Sequence, residues 1–325
     1  MLDTAIIGMG RWGQTLVDSV QGRNDAGLRF VAGCTGRPER AAEWAARQGV
    51  RILPDFDAVL ADPAVQAVAI ASPHQMHADQ VVAAARAGKH VFVEKPFTMT
   101  KASAQAAVDA CRAAGVVMAL GHNRRFLPAV ATMKALLADG SLGTLLHVEG
   151  QFSGPGAIAY KPGMWRASRA ESPLGGMGGM GIHMVDMMVN LAGRIAEVTV
   201  QSHARVIDNG LDDTTAALFR LDSGATANFA TLAYAPRYWR IALFGTDGIA
   251  ELLGHEHLTF TPREGEGWVR DFPKTDIEAA ELAAFAAAVA GGPAYPLPVD
   301  DAVHGVAVYE AMIGAAASGS TYRVA

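Results

Sequence analysis

Short apolar runs alternate with amphipathic stretches along the first 122 residues of the chain. The apolar runs predict strands buried on both faces, and the stretches between them predict helices. The predicted strands are residues 5–7, 29–34, 67–71, 90–93 and 116–120, and the predicted helices are residues 14–20, 39–48, 55–61, 77–87 and 101–114. Strands that alternate with helices indicate an α/β fold with a doubly wound parallel sheet.

The alternation ends after Phe126, and strand-like runs dominate the second half of the chain. They are residues 145–152, 198–206, 214–221, 226–232, 239–244 and 249–253. Asp, Asn and Gly in the links between them favour hairpin turns. We predict an α+β region whose open, mostly antiparallel sheet has one face covered by helices. Two predicted helices, 277–290 and 303–317, close the chain.

A glycine-rich motif follows the first predicted strand and precedes the first helix. Gly8-Met9-Gly10-Arg11-Trp12-Gly13 has the G-x-G-x-x-G pattern, which in this context is typical of dinucleotide binding. Gly8 permits the tight turn, Gly10 lets the backbone approach a pyrophosphate, and Gly13 lets helix and strand pack closely. The helix N-terminus, with Arg11 and Trp12, favours the negative charge of that pyrophosphate.

The end of the second strand predicts which dinucleotide binds. An acidic residue there would hold the ribose 2′-hydroxyl of NAD. This chain has the neutral Thr35, followed by Arg37 and Arg40, which suit a 2′-phosphate. We therefore predict NADP(H) in preference to NAD(H). The alternative is that both arginines are simply solvated.

Two more strands end in polar residues at the same predicted sheet edge, where open α/β sheets bind ligands. Residues 91–93 lead into Glu94-Lys95-Pro96, and Pro96 restricts Lys95 to extended backbone. The predicted strand 67–71 ends at Ser72-Pro73-His74, and His77 follows in the next predicted helix. The predicted cofactor contacts are Gly8, Gly10, Arg11, Trp12, Gly13, Thr35, Arg37, Arg40, Ser72, Pro73, His74, His77, Glu94 and Lys95.

Four blocks of this sequence resemble the signature of the glucose-fructose oxidoreductase/inositol dehydrogenase (Gfo/Idh/MocA) family. They are residues 8–13, 72–77, 87–96 and 121–126. The resemblance implies a Rossmann domain, placed here at residues 1–122, and a substrate and oligomerisation domain at 123–325. It also implies that Lys95 lies between nicotinamide and substrate and that the Lys95–Pro96 bond is cis.

Polar residues in the second half recur at helical spacing. Gly179, His183, Asp186 and Asn190 would share one stripe of an otherwise apolar helix, and such a stripe needs partners or a cavity. Dehydrogenases of the family usually carry Asp four residues before this His, where this chain has Gly179. The replacement is compatible with a wider pocket or with the loss of one acid/base group.

The residues and the resemblance together predict an NAD(P)-dependent oxidoreductase. It would transfer hydride between nicotinamide C4 and a hydroxyl or carbonyl carbon of a sugar, cyclic polyol or related small molecule. Lys95 would polarise the oxygen and His183 would act as general acid/base, while Asp186 would orient His183 or bind a hydroxyl. The predicted substrate contacts are Lys95, Arg124, Tyr160, Trp165, Arg166, His183, Asp186 and Tyr234.

Two alternatives remain open at this point. One is a dinucleotide-binding sensor or regulatory protein that has lost catalysis, which the replacement at Gly179 supports and the intact Lys95 and His183 oppose. The other is a dehydrogenase in which Lys95 is the sole essential group and water or another side chain supplies the proton.

Composition narrows the partners and the compartment. A net charge of −5 argues against nucleic acid or an anionic membrane as the main partner. The chain enters a strand directly after Met1, so we expect no signal peptide and a cytoplasmic protein. Cys34 and Cys111 form no C-x-x-C pair, and we expect no metal site and no disulfide. The family resemblance implies a homodimer or homotetramer formed through the second sheet.

Overall fold

The computed structural model describes residues 1–161 and 163–325, which divide into two compact units. The first unit comprises Met1–Asn123 and Asp276–Val303, and the second comprises Arg124–Thr275 and His304–Ala325. We predicted that all residues after 122 belong to the second domain. The structure differs for Asp276–Val303, which belongs with the first unit.

The helices and strands follow the predicted order. The strands are β1 (Leu2–Ile7), β2 (Leu28–Cys34), β3 (Arg51–Ile52), β4 (Ala67–Ile70), β5 (His90–Glu94), β6 (Met118–Gly121), β7 (Leu145–Ser153), β8 (Ile195–His203), β9 (Thr214–Leu221), β10 (Thr226–Leu232), β11 (Tyr238–Gly245), β12 (Gly248–Leu253), β13 (His257–Pro262), β14 (Trp268–Asp271) and β15 (Tyr322–Arg323). The helices are α1 (Arg11–Val20), α2 (Pro38–Gln48), α3 (Phe56–Ala61), α4 (His77–Arg86), α5 (Lys101–Ala114), α6 (Pro128–Ala138), α7 (Gly181–Ala192), α8 (Ile277–Val289) and α9 (Val299–Ser318).

The first unit is built on a parallel sheet. Its described strands lie in the order β3-β2-β1-β4-β5-β6. The β1–β4 pair is parallel, and the order in which successive strands are added to the sheet reverses there. This is the strand order of a doubly wound dinucleotide-binding fold, so the predicted fold class is confirmed for this unit. The ligand-binding crevice of such a sheet lies at the carboxyl ends of its strands, next to the reversal.

The segment Asp276–Val303 belongs to the first unit because its helix α8 packs against β5. Its Phe285 ring lies 5.9 Å from the ring of Phe92, centroid to centroid, and both side chains are fully buried. Downstream of α8, the hydroxyl of Tyr295 donates to the carbonyl oxygen of Leu120 at 3.1 Å. The strand β5 is therefore covered by a helix from far along the chain, and Val91 and Val93 are fully buried beside Phe92.

The second unit is built on a larger sheet. Its described strands lie in the order β14-β13-β12-β11-β7-β10-β9-β8-β15, and among them only the β7–β10 pair is parallel. The predicted open, mostly antiparallel sheet is confirmed. Helix α7 covers one face closely, since a Cβ on Gly150 of β7 would lie 2.8 Å from Cε of Met188 and 3.3 Å from Sδ of Met184.

Neither a membrane-spanning helix nor a cluster of metal ligands occurs among the residues that the structure describes. No helix there combines the length and the apolar character needed to cross a membrane. No group of three or more His, Cys, Asp or Glu side chains is arranged there as metal ligands would be.

Candidate functional site

The turn between β1 and α1 is closely packed at Gly8 and Gly13 but open at Gly10. Gly8 has φ +95°, a conformation that favours glycine, and a Cβ there would lie 2.7 Å from the carbonyl oxygen of Ala71. A Cβ on Gly13 would collide with the carbonyl oxygen of Gly8. Gly10 differs, because it is exposed and a Cβ there would meet no described atom within 4 Å. This open position lies where the motif predicts the approach of a pyrophosphate.

Helix α1 presents hydrogen-bond donors beside this open position. Its N-cap residue is Gly10, and no described side chain caps the helix, so its first amides remain available to an anion. Arg11 is exposed and Trp12 is half-buried, and the indole Nε1 of Trp12 is buried with no hydrogen-bond partner among the described residues. The residues present therefore fit a dinucleotide pyrophosphate.

We expect Gly10→Ala to leave the fold intact and to weaken dinucleotide binding. Its backbone angles, φ −76° and ψ −177°, are allowed for alanine, but the added methyl group would occupy the open position. The dissociation constant for NADPH, measured by fluorescence titration, should rise about tenfold or more, equivalent to ~1.4 kcal/mol. Gly305→Ala in α9, where a Cβ also meets nothing within 4 Å, is the control. Wild-type affinity in Gly10→Ala would contradict the assignment.

The end of β2 carries the residues that predict cofactor preference. Thr35 is half-buried, whereas Arg37 and Arg40 are exposed and one helical turn apart. The amide of Arg40 donates to the carbonyl oxygen of Arg37 at 3.1 Å. Burial, with a smaller contribution from the charge of Asp55, raises the pKa of the Cys34 thiol to about 11, so the strand end itself is uncharged.

His77 joins the ends of β4 and β5. Its Nδ1 lies 2.9 Å from the carbonyl oxygen of Pro96, and its Nε2 lies 3.0 Å from the carbonyl oxygen of Ser72. The ring is fully buried, and burial lowers the pKa of His77. His74 packs against it edge-on at 5.9 Å, and the Ser72 hydroxyl contacts Oε1 of Gln80 at 2.5 Å. These contacts favour a supporting role for His77 over the direct cofactor contact that we predicted.

Lys95 lies at the carboxyl tip of β5. Its side chain is half-buried, its amide donates to Oε2 of Glu94 at 3.2 Å, and its bond to Pro96 is cis. Glu94 is buried, and its Oε1 lies only 2.8 Å from the position that a Cβ on Gly121 would take, at the end of β6. The Glu94 carboxylate is therefore directed along the sheet edge toward β6.

In the second unit, His183 on α7 lies against Arg124 and Phe152. The Nη1 atom of Arg124 is 3.0 Å from Nε2 of His183, and the guanidinium lies 5.1 Å from the ring centroid of Phe152 on β7. The Phe152 and His183 rings are 6.0 Å apart. A guanidinium only donates hydrogen bonds, so Nε2 of His183 is the acceptor in this contact.

Asp186, one turn further along α7, is held by Arg125. The Nε atom of Arg125 lies 3.0 Å from both carboxylate oxygens, and its Nη2 lies 2.8 Å from Oδ1. Both side chains are buried, with 4% and 8% of their surface exposed. We predicted that Asp186 would orient His183 or bind a hydroxyl, and the structure adds a partner that we did not name. In the sequence, the pair of adjacent arginines in the block 121–126 was the available signal for Arg125. The alternation of β7 was the available signal for Phe152.

The predicted polar stripe is only partly helical. Helix α7 begins at Gly181, so Gly179 lies in the preceding turn. Gly179 is exposed, and a Cβ there would meet only the carbonyl oxygen of Gly176, at 4.0 Å. At the other end of the stripe, Asn190 accepts a hydrogen bond from Nζ of Lys134 at 3.0 Å. The missing family carboxylate thus corresponds to open, exposed space.

The other predicted substrate contacts lie in loops and in a short 3₁₀ helix, Trp165–Ala167, of the second unit. The guanidinium of Arg166 stacks 4.2 Å from the ring centroid of Trp165, a cation–π contact at an exposed position. Tyr160 is half-buried, and Tyr234, just after β10, has 50% of its surface exposed. From the predicted set, Arg124 and His183 are in contact, and Asp186 lies one turn from His183 on α7.

Two family models match successive parts of the chain. Residues 2–122 match the model GFO_IDH_MocA, described as an oxidoreductase family with an NAD-binding Rossmann fold. Residues 130–251 match the model described as the GFO/IDH/MocA C-terminal domain. Together these matches account for more than half of the sequence.

Curated relatives resemble the chain over most of its length. It is 31% identical to scyllo-inositol 2-dehydrogenase (NAD(+)) of Bacillus subtilis (strain 168), over 89% of this chain and 86% of the relative. It is 30% identical to 1,5-anhydro-D-fructose reductase of Ensifer adhaerens, over 88% of each.

Solved structures share the whole fold. A levoglucosan dehydrogenase in complex with NADH and levoglucosan superposes with a TM-score of 0.88 over 99% of both chains, at 24% identity, which shows a likeness of fold. An aldose-aldose oxidoreductase from Caulobacter crescentus in complex with glycerol gives a TM-score of 0.86 over 99% of both chains, at 25% identity.

Proposed function

Because this chain belongs to the Gfo/Idh/MocA family of oxidoreductases, it is a nicotinamide-dependent enzyme acting on CH–OH groups, and we propose that its substrate is a sugar, a cyclic polyol or a related small molecule. The position of Lys95 is the observation on which the proposal rests. Lys95 lies half-buried at the tip of β5, on the sheet edge that also carries the Gly8–Gly13 turn. A bound nicotinamide supplies the hydride acceptor or donor.

Lys95 polarises the reacting oxygen of the substrate. An ammonium group at this oxygen stabilises the negative charge that develops there when the hydroxyl loses its proton. The backbone at Lys95 has a cis peptide bond to Pro96, and the Lys95 amide donates a hydrogen bond to the Glu94 carboxylate. The contacts of His77 with Pro96 and Ser72 support the same turn from behind.

His183 exchanges the hydroxyl proton. Its Nε2 lone pair, which accepts a hydrogen bond from Arg124, is the site that can take a proton. For His183 to act as a base, the substrate hydroxyl must replace the Arg124 N–H at this lone pair. Arg124 then remains beside the substrate as a donor. Asp186 acts on this cluster through the buried pair with Arg125, which holds α7 near the start of the second unit.

The substrate class rests on two kinds of support. The relatives are named for scyllo-inositol and 1,5-anhydro-D-fructose, both of which carry several hydroxyl or carbonyl groups on a ring. The exposed turn at Gly179 leaves space for such a ring. We assign the recognition of its remaining groups to Arg124, Tyr160, Trp165, Arg166 and Tyr234.

NADP(H) is the proposed cofactor in preference to NAD(H). Arg37 and Arg40 are exposed at the end of β2, and neither carries a carboxylate partner among the described residues. We expect the double variant Arg37→Ala/Arg40→Ala to raise the dissociation constant for NADPH about 10- to 100-fold, because charge-assisted hydrogen bonds contribute about 1.5–3 kcal/mol. The constant for NADH should stay within about twofold of the wild type.

Fluorescence titration with NADPH and NADH measures this preference directly. Arg47→Ala is the control, because Arg47 lies on the same helix, is exposed and pairs with Glu43 at 2.6 Å. Equal affinities of the wild-type protein for NADPH and NADH would show that the two arginines are merely solvated.

A dinucleotide-binding sensor without catalysis is the second candidate, and Gly179 is the observation that favours it. The position of the family carboxylate is here an exposed turn with open space. The same exposure favours an enzyme in which Lys95 is the sole essential side chain and solvent supplies the proton. The test is turnover, followed by nicotinamide absorbance with scyllo-inositol, levoglucosan and D-glucose. A sensor binds NADPH and turns over none of them.

The second sheet supports assembly with further copies of the chain. The face opposite α7 exposes Leu218, Ile249, Leu253 and Val269, whose exposed fractions are between 38% and 64%. Arg240 crosses the same face between Glu149 and Glu251, at 2.7 and 2.6 Å. An apolar sheet face with an ordered ionic network suits contact with a second copy, as a homodimer or homotetramer.

We assign the protein to the cytoplasm.

A further inference from the structure

Trp239 continues the aromatic surface that begins at His183. On the second sheet, Trp239 of β11 pairs directly with Phe152 of β7, so the two side chains lie on the same face, the one covered by α7. Phe152 in turn contacts both His183 and Arg124. The cluster of polar and aromatic side chains around His183 therefore extends from β7 to β11 and includes Trp239, which has no role assigned above.

The indole of Trp239 is buried but lacks an acceptor. Only 6% of the residue is exposed, and its Nε1 makes no hydrogen bond to any described residue. A buried donor without an acceptor is destabilising, and most such groups in native proteins do have partners. Its position beside the His183 cluster points to an acceptor on a bound molecule.

His255 completes this corner of the unit. It lies in the turn between β12 and β13, half-buried, and its ring packs edge-on against Trp239 at 5.3 Å with an interplanar angle of 85°. Burial first, and then the positive charge of Arg124, lower the pKa of His255 despite the opposing charge of Glu256. A neutral imidazole offers one donor and one acceptor, which is what a hydroxyl group requires of its partners.

We propose that Trp239 and His255 form a subsite for a hydroxyl-bearing ring of the substrate, remote from the carbon that reacts. The Trp239 N–H donates to a ring oxygen or hydroxyl oxygen, and His255 exchanges hydrogen bonds with a neighbouring hydroxyl. The apolar face of the ring packs on Phe152. This subsite deepens the proposed function and rests on it, because its ligand is the substrate of that reaction.

Two variants that keep an aromatic ring but remove the polar nitrogen test the subsite. Trp239→Phe and His255→Phe should each raise KM about tenfold or more and change kcat by less than about threefold, because contacts away from the reacting carbon that are equally strong in ground and transition states affect KM alone. The probes are scyllo-inositol, levoglucosan and D-glucose, each with NADP⁺ and with NAD⁺.

Matched controls are available on the neighbouring strands. Trp268 packs against Phe260 at 5.6 Å, and His257 pairs with Asp271 at 2.7 Å, so Trp268→Phe and His257→Phe should leave KM unchanged. Thermal unfolding of all four variants shows whether each one folds. If Trp239→Phe fails to fold, His255→Phe still decides the question.

Each outcome has one meaning. A raised KM in the subsite variants with unchanged controls supports the subsite. A wild-type KM in folded Trp239→Phe and His255→Phe overturns the subsite and leaves the proposed function standing. If the wild-type protein turns over none of the probes with either cofactor, the proposed substrate class falls, and the subsite falls with it.

Discussion

We expect that replacing Lys95 by alanine will lower kcat by about 10²–10⁴, the usual contribution of a positioned acid, base or charge at the reacting group. The side chain is half-buried at the tip of β5, so a water molecule that replaces it is neither cationic nor held in place. The loss should appear in kcat and in kcat/KM together, because the charge acts on the transition state. Steady-state kinetics with the best of the ring polyols or sugars measures both constants.

Two controls separate chemistry from binding. Lys95→Ala loses one predicted cofactor contact but keeps the glycine turn and the α1 N-terminus, so it should still bind NADPH, and titration measures this directly. Lys274→Ala, at an exposed loop position, should have wild-type kinetics. A fully active Lys95→Ala protein would remove Lys95 from the mechanism.

We expect that replacing Arg125 by methionine will lower the free energy of unfolding by about 3–5 kcal/mol, the usual cost of removing one member of a buried ion pair. Asp186 is only 8% exposed, and Arg125 supplies hydrogen bonds to both of its carboxylate oxygens. Without the guanidinium, the carboxylate must remain charged in a poorly solvated place or take up a proton. Chemical denaturation monitored by circular dichroism measures the loss.

A double variant identifies the cause of this loss. Arg125→Met/Asp186→Leu removes both charges and should regain most of the stability, since apolar replacements of buried ion pairs are often well tolerated. Arg220→Met is the control, because Arg220 is 49% exposed beside Glu197 and exposed pairs contribute about 0–1 kcal/mol. If Arg125→Met unfolds within about 1 kcal/mol of the wild type, the pair does not carry the stability assigned to it.

The sequence predicted elements best where periodicity and turn chemistry agree. Thr214–Leu221 and Thr226–Leu232 occur at the predicted bounds, because strict alternation ends in a glycine turn between them. The same holds for α5, which has a Thr100 cap before it and Gly115 after it. Short or edge strands gave no such signal, and β3, β14 and β15 were missed for that reason. The interior strand β13 was missed as well.

Long-range packing was beyond the reach of these patterns. The alanine-rich helix α8 carries nothing in its own sequence that assigns it to the first unit, which becomes evident only from contacts such as Phe285 with Phe92. The glycine turn and Lys95 were predictable because each is local to one strand end. The pairing of Arg125 with Asp186 joins residues 61 positions apart, and no spacing rule connects them.

The most direct test of the central claim is nicotinamide absorbance during incubation of the purified protein with sugars, inositols and hydroxy acids. NADP⁺ and NAD⁺ are supplied separately, and Lys95→Ala is the control. We predict reduction of the nicotinamide with at least one cyclic polyol or sugar, faster with NADP⁺, and its disappearance in the variant. Tight NADPH binding without turnover of any compound would contradict the enzyme and favour the sensor.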